Sequence, residues 1–246
     1  MKTKLPALLA LTLALGGSLR AEEPKSSYSI TADFMYVTEY IFRGIEQQDG
    51  ALQPAVTFTK DTLSLGVWSS QGIANQSVNW AQANEIDLWF GYGIPFDQAT
   101  VSVGGTAYLY PSARASFGEP DSTWELSLGV SGPLGPLTGS ATYFHDFVLD
   151  SDTFEFKAVY SIALPDNKGS VDFAGLYCFN DLGDANGDLA GEPKLDYQYF
   201  GASAALTYKL TATTALKASV NYVDVADVPG APGANLWFAI GFSAGL

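Results

Sequence analysis

Residues 153–164 read TFEFKAVYSIAL, and their side chains alternate between apolar and polar along almost the whole stretch. One face carries Phe154, Phe156, Ala158, Tyr160, Ile162 and Leu164, and the other face carries Thr153, Glu155, Lys157, Val159 and Ser161. Successive side chains of a β-strand point to opposite faces, so this period of two predicts a strand with one apolar face. The stretch is also long enough to cross a membrane as a tilted strand, which takes about 9 to 11 residues.

The same alternation recurs along the chain, and no helical period is sustained anywhere. The twelve predicted strands are 28–42, 51–60, 62–71, 83–94, 99–110, 122–131, 137–148, 153–164, 170–180, 197–210, 215–225 and 235–246. Short connections interleave with longer ones, of which 43–50 is the first, and only the brief 149–152 breaks the order. Short turns at one end and long loops at the other are typical of outer-membrane barrels.

Alternation alone does not separate a membrane barrel from a soluble β-sandwich, because both have one apolar and one polar face per strand. In this chain the polar face holds mostly Ser, Thr, Gly and Ala, with few charges. A soluble sandwich would normally carry Lys and Glu on its solvent face. Small neutral residues suit the confined interior of a barrel, and aromatic residues on the other face suit lipid. The sequence therefore predicts an all-β fold, a single transmembrane antiparallel up-and-down β-barrel of twelve strands.

Composition excludes several other classes of protein. Only 15% of the 246 residues are charged, against about 25% in an average soluble domain. The 26 acidic and 12 basic residues give a net charge of -14, which argues against nucleic acid as a partner because phosphate binding needs a basic surface. Cys178 is the single cysteine, so the chain has neither an intramolecular disulfide nor a cysteine zinc site.

The amino terminus has the order of a secretory signal peptide. Lys2 and Lys4 precede an apolar run over 5–15, and small residues lead to Ala21. We expect residues 1–21 to be removed, which leaves 22–246 as the outer-membrane β-barrel domain. The last residues loosely fit the terminal signal of assembled outer-membrane proteins, which indicates recognition by the barrel assembly machinery. The other expected partners are outer-membrane lipid, lipopolysaccharide, and small solutes or ions.

Residues 37–45, VTEYIFRGI, are followed by Gln47 and by Pro54-Ala55. This pattern resembles the opening motif of the TorF family, a group of outer-membrane β-barrel proteins regarded as porins. Further matches at 66–70, at 85–92 and at Tyr110-Pro111 extend the likeness over residues 30–130. Glu46 and Thr57 depart from the family pattern, in which Ser and Gln are usual. The resemblance implies an outer-membrane barrel and, through the family's description, a role in transport.

Enzymatic and metal-binding alternatives find little support. His145, the only histidine, lies between Tyr143 and Phe147 on the predicted outer face, where an aromatic-belt position explains it, and no Gly-x-Ser-x-Gly motif occurs. Cys178 is expected to be a buried, inert thiol. The acidic loop 181–196 misses the EF-hand spacing, since Leu189 stands where Gly is required. We predict no catalytic residue, no cofactor and no metal site, and leave open weak divalent-cation bridging from this loop to lipopolysaccharide.

The predicted function is a narrow channel for passive diffusion of small hydrophilic solutes or ions. Inward-facing Trp68, Trp89, Tyr108 and Phe144 favour constriction, so the alternative is a non-conducting barrel with a structural or surface-binding role. Predicted acids at the loop end outnumber the bases there, which predicts a modest cation preference. The candidate pore-lining charges are Glu39, Arg43, Glu85, Asp87, Glu125, Asp146, Glu155, Lys157, Lys209 and Lys217.

Overall fold

A computed structural model describes residues 28–73, 84–111, 122–181, 196–226 and 235–245. These residues form a closed antiparallel barrel in which each strand pairs with its sequence neighbours and β1 pairs with β12. The strands are β1 (Ser29–Phe42), β2 (Ile45–Lys60), β3 (Leu63–Gly72), β4 (Glu85–Pro95), β5 (Thr100–Leu109), β6 (Ser122–Leu134), β7 (Leu137–Asp146), β8 (Ser151–Ala163), β9 (Gly169–Asp181), β10 (Tyr197–Lys209), β11 (Thr214–Ala226) and β12 (Asn235–Gly245). A 3₁₀ turn, Pro165–Asn167, joins β8 to β9. The predicted fold class is confirmed.

The outer face of the barrel is apolar, as the alternation predicts. In β8, Phe154, Phe156 and Tyr160 are all exposed, and in β12, Phe238 and Ile240 are more than half exposed, at 52% and 54%. Apolar side chains at such exposure favour a lipid environment over water. Within the described ranges, no helix has the length and apolar character needed to span a membrane.

The two ends of the barrel differ, and we name them by their connections. At the turn end, short connections join β2 to β3, β4 to β5, β6 to β7, β8 to β9 and β10 to β11. At the loop end, most of the connections at 72–84, 110–121, 182–196 and 227–234 lie outside the described residues. Most of the predicted acidic loop 181–196 and the whole predicted signal peptide, residues 1–21, also lie outside the described residues.

The prediction of a long first connection over residues 43–50 is wrong. The 43–50 segment is not a long connection, because β2 already begins at Ile45 and pairs with β1 from Phe42 onward. Arg43 and Gly44 alone make the turn, with φ of 47° and 83°. Positive φ at both central residues is the geometry of the tight type I′ hairpin turn, whose twist matches that of the flanking strands.

Candidate functional site

The β1–β2 hairpin turn does not end at the barrel rim but lies inside the lumen. The Arg43 guanidinium Nη2 is 2.6 Å from Glu125 Oε2. Glu125 is on β6, five places from β1 in the ring of twelve strands, so the side chain reaches almost to the opposite wall. The Tyr108 hydroxyl, on β5, donates to the other oxygen of the Glu125 carboxylate at 2.8 Å. The turn is thereby joined to the far side of the lumen.

Further contacts hold Arg43 in this position. Its guanidinium carbon lies 4.9 Å from the ring centre of Phe42 and 5.3 Å from that of Phe144, distances at which a cation is attracted to an aromatic face. The Tyr197 hydroxyl donates to the Arg43 carbonyl oxygen at 3.0 Å. Burial alone would lower the pKa of Arg43, but the Glu125 carboxylate outweighs this effect and the pKa lies above its ordinary value. Arg43 therefore keeps its positive charge in this ion pair.

Apolar side chains fill the lumen beside the hairpin. Ile41, just before the turn, packs with buried residues from the arc of the wall on the β12 side of β1; these are Cys178 on β9, Tyr197 and Tyr199 on β10, Val223 on β11 and Trp237 on β12. Gly44 has no room for a side chain, because a Cβ there would lie 2.9 Å from Val225 and 3.0 Å from the ring of Tyr199. The thiol of Cys178 is a fully buried part of this packing.

On the other side of the hairpin, buried side chains of β1 pack against β2 and β3. Val37, Tyr40 and Ala51 form a buried cluster, and the ring of Tyr40 lies 5.3 Å from that of Trp68. Simple alternation would place Val37 and Tyr40 on opposite faces, and the register shift beside Tyr40 marks where the ladder is irregular. Glu39 is half-buried and pairs in register with the exposed Asp49.

Glu85 and Asp87 share the inner face of β4, because they are two residues apart. They are 3% and 4% exposed, and one carboxyl oxygen of each, Glu85 Oε1 and Asp87 Oδ1, has no hydrogen-bond partner. Neither acid forms an ion pair with a basic side chain of the described residues. Burial raises the pKa of nearby Tyr110, and the two carboxylates raise it further, so that hydroxyl stays protonated.

The remaining predicted charges lie at several levels of the lumen. Asp146 is buried at the loop end, where its carboxylate accepts the backbone N–H groups of Val148 and Leu149 at 2.9 and 2.8 Å. This carboxylate therefore orders the β7–β8 turn. Glu155 and Lys157 are partly buried on the inner face of β8.

At the turn end, one of the predicted pore-lining bases, Lys217, forms an ion pair. The Lys217 ammonium binds Asp33 on β1 at 2.5 Å, across the small residues of β12. Asp172 on β9 accepts a hydrogen bond from Ser170 at 3.0 Å. Lys209 is partly buried near the end of β10. Asp33 is not among the predicted pore-lining charges, although the alternation of β1 places it on the same face as Met35 and Val37.

Between Arg43 and the turn end, hydroxyl groups line the lumen on the β5–β7 side. They surround a cavity of about 40 Å³, which is enough for water but not for a wide passage. Charged groups at its margin include Arg43, Asp87, Glu125 and Glu155. The hydroxyl-bearing lining residues are Ser102, Thr106, Ser127, Ser131, Ser140 and Thr142.

His145 lies on the outer face of the barrel and makes structural contacts. Its Nδ1 is 2.8 Å from Asp152 Oδ1, which also accepts a hydrogen bond from the Tyr143 hydroxyl at 2.5 Å. The imidazole meets the ring of Phe147 edge-on, with centres 4.5 Å apart. In the described part of the chain, no three side chains of His, Cys, Asp or Glu come together as a metal site would require.

Comparisons with known proteins agree with this architecture. No curated protein matches the sequence. The NanC porin structure in a rhombohedral crystal form aligns over 87% of this chain and 98% of its own, with 12% identity and a TM-score of 0.53. The KdgM porin aligns over 88% and 98%, with 11% identity and a TM-score of 0.51. At these identities the likeness shows the fold alone.

The barrel fold and the exposed apolar outer face confirm the predicted location in the outer membrane. A family model described as "Bacterial protein of unknown function (Gcw_chp)" matches residues 21–234, which is most of the chain. The description carries no TorF name, so that narrower resemblance stays a prediction. The chain belongs to the Gcw_chp family of bacterial proteins.

Proposed function

We propose that this protein is an outer-membrane channel through which small hydrophilic solutes or ions diffuse passively, with a modest preference for cations. The observation that carries the proposal is the pair of inward carboxyls on β4, Glu85 and Asp87, which have no basic partner among the described residues. A barrel stabilised only for its shape gains nothing from two such groups, since burying an unpaired charge is costly. Beside a water-filled path, however, the same groups can attract ions.

Electrostatics gives the sign of the preference. A carboxylate attracts cations within about a Debye length, ~8 Å at physiological salt, and low-dielectric walls strengthen the field. Arg43 neutralises Glu125, and backbone N–H groups occupy Asp146. Glu85 accepts a hydrogen bond from Tyr40, but neither Glu85 nor Asp87 has a basic partner among the described residues. The porin fold and the TorF resemblance accord with a transport role.

A second candidate function is a non-conducting barrel with a structural or surface-binding role. The observation that favours it is the hairpin turn lodged in the lumen, with the Arg43–Glu125 pair on one side and apolar packing around Ile41 on the other. In this case the buried lumen residues stabilise the barrel, and function belongs to the loops at its end. Conductance separates the two candidates, because this one predicts none.

The test of the proposed channel is the reversal potential of the purified protein in planar bilayers under a KCl gradient. We expect cation preference in the wild type that weakens as salt rises. We also expect a clear loss of preference in the double variant Glu85→Gln with Asp87→Asn. The matched control is Asp61→Asn with Asp97→Asn, which removes two carboxylates from exposed turns at the other end of the barrel. Anion preference in the wild type, or no difference between the double variants, would contradict the proposed selectivity.

A further inference from the structure

We propose that Arg43 sets both the width of the channel's narrowest point and part of its ion selectivity. The inference rests on the proposed channel function and assigns a specificity-determining role to one turn residue. The lumen is narrowed by a two-residue turn that joins the neighbouring wall strands β1 and β2 and lies inside the barrel.

The contacts of Arg43 place it across the passage. They extend to β5 and β6 through Tyr108 and Glu125, to β7 through the ring of Phe144, and to β10 through the Tyr197 hydroxyl. Three strands outside the hairpin, β6, β7 and β10, thus contact this one residue from both sides of the ring, and β5 joins them through the hydrogen bond from Tyr108 to Glu125. Arg43 and Glu125 both line the hydroxyl-lined cavity, so a solute that enters this cavity from the loop end passes beside the pair.

The turn is held in the lumen by its backbone as well as by the Arg43 side chain. Positive φ at both turn residues fixes a tight hairpin, and the close approach of Val225 and Tyr199 to Gly44 leaves no space for the turn to shift toward β10 and β11. Ile41 is buried in the apolar cluster on the same side. The guanidinium therefore occupies a defined point of the cross-section.

The charge of Arg43 acts on selectivity through its partner. While the pair is intact, the Arg43 cation neutralises Glu125 at 2.6 Å. Replacement of Arg43 by Ala would free that carboxylate to act together with Glu85 and Asp87, so both conductance and cation preference should rise. Replacement of Glu125 by Gln would leave the cation unpaired, so cation preference should fall. Opposite changes in selectivity from the two halves of one ion pair are not expected if Arg43 only stabilises the fold.

The experiment measures single-channel conductance and reversal potential for Arg43→Ala, Arg43→Gln and Glu125→Gln. We expect Arg43→Ala to raise conductance severalfold and to increase cation preference. Arg43→Gln should increase cation preference with a smaller rise in conductance, because its side chain is uncharged but fills more of the lumen than that of Ala. The control is Lys60→Ala, which removes one positive charge from an exposed position at the turn end. Heat-dependent mobility in electrophoresis shows which variants are folded, and Arg43→Gln keeps the test valid if the Ala variant does not fold.

Each result has a distinct meaning. A conducting wild type whose conductance and selectivity are unchanged in both Arg43 variants would overturn this inference and leave the channel intact. A silent wild type with conducting Arg43 variants would support it, because the turn would then close the lumen. Folded protein that conducts in no variant would overturn the proposed channel and this inference together.

Discussion

At the scale of single residues, the two faces of a strand differ in what they tolerate. Ile240 in β12 is 54% exposed on the outer face, whereas Ser243, three residues later, faces inward and pairs in register with Asp33. Charge on the outer face must be transferred into hydrocarbon, but charge on the inner face meets water and polar groups. A single strand therefore provides both a sensitive and a tolerant site for the same substitution.

We predict that Ile240→Lys lowers the free energy of unfolding by roughly 2 to 4 kcal/mol if the site lies near the bilayer midplane. Ser243→Lys should cost far less, because its side chain faces the lumen and not lipid. The measurement is denaturant unfolding of both variants in lipid vesicles. Equal losses for the two variants would show that the inner and outer faces are wrongly assigned.

Alternation identifies which side chains point inward, but it does not show which of them occupy the same space. Gly66 and Trp89 both follow from the pattern as inner residues. In the structure, the indole of Trp89 lies over Gly66 so closely that a Cβ there would be 2.3 Å from the ring. Trp89 therefore occupies the space left by Gly66, so an inward tryptophan does not by itself show that the lumen is constricted. The pairing depends on register, which no single strand encodes.

At the scale of elements, the sequence is informative for strands and poor for one turn. The alternation predicts all twelve strands. Each strand has one face toward lipid and the other toward the lumen, so its side chains keep a period of two. The start of β2 escapes prediction because residues 45–50 contain several polar residues and a Gly, which resemble a loop. These residues lie where β2 meets the packed lumen, and Gln48 is buried there against Ser70 at 2.5 Å. A polar residue inside a barrel lumen looks the same in sequence as a polar residue in a loop.

Alanine substitutions at two turn glycines can separate the cost of lost packing from the cost of backbone strain. Gly44 and Gly135 both have positive φ, at 83° and 61°, but a methyl group added at Gly44 would meet neighbours within 4 Å, whereas one added at Gly135 would meet none. We predict that Gly135→Ala costs about 1 to 2 kcal/mol, the backbone penalty alone. Gly44→Ala should cost more, because its methyl group also meets Val225 and Tyr199.

The measurement is the unfolding free energy of both glycine variants under identical conditions in lipid vesicles. The difference between the two losses isolates the contact of the turn with β10 and β11. Equal losses would mean that Gly44 is not packed against those strands, and that the turn lies nearer to the barrel rim than its contacts indicate.

At the scale of the whole molecule, the barrel divides its charge between its ends. Glu85, Asp87 and Asp146 lie toward the loop end, and the Lys217–Asp33 pair lies toward the turn end. The Arg43 turn lies between these levels. The apolar cluster around Ile41 is on one side of the turn, and the hydroxyl-lined cavity is on the other. The direction in which a solute meets this sequence of groups depends on how the barrel is oriented in the membrane.

Orientation is testable by labelling, because an even number of strands puts both termini on the same side. We predict that the turn end faces the periplasm, since outer-membrane barrels have short periplasmic turns and long external loops. In a Cys178→Ser parent, an impermeant thiol reagent added to whole cells should label Gln76→Cys, Ser116→Cys and Asp188→Cys. It should not label Leu134→Cys or Asn167→Cys, which lie at the turn end. All five variants should react equally once the cells are broken, which controls for accessibility of the thiol itself. Labelling of the turn positions alone on whole cells would reverse the orientation, and the acids around Glu85 would then face the periplasm.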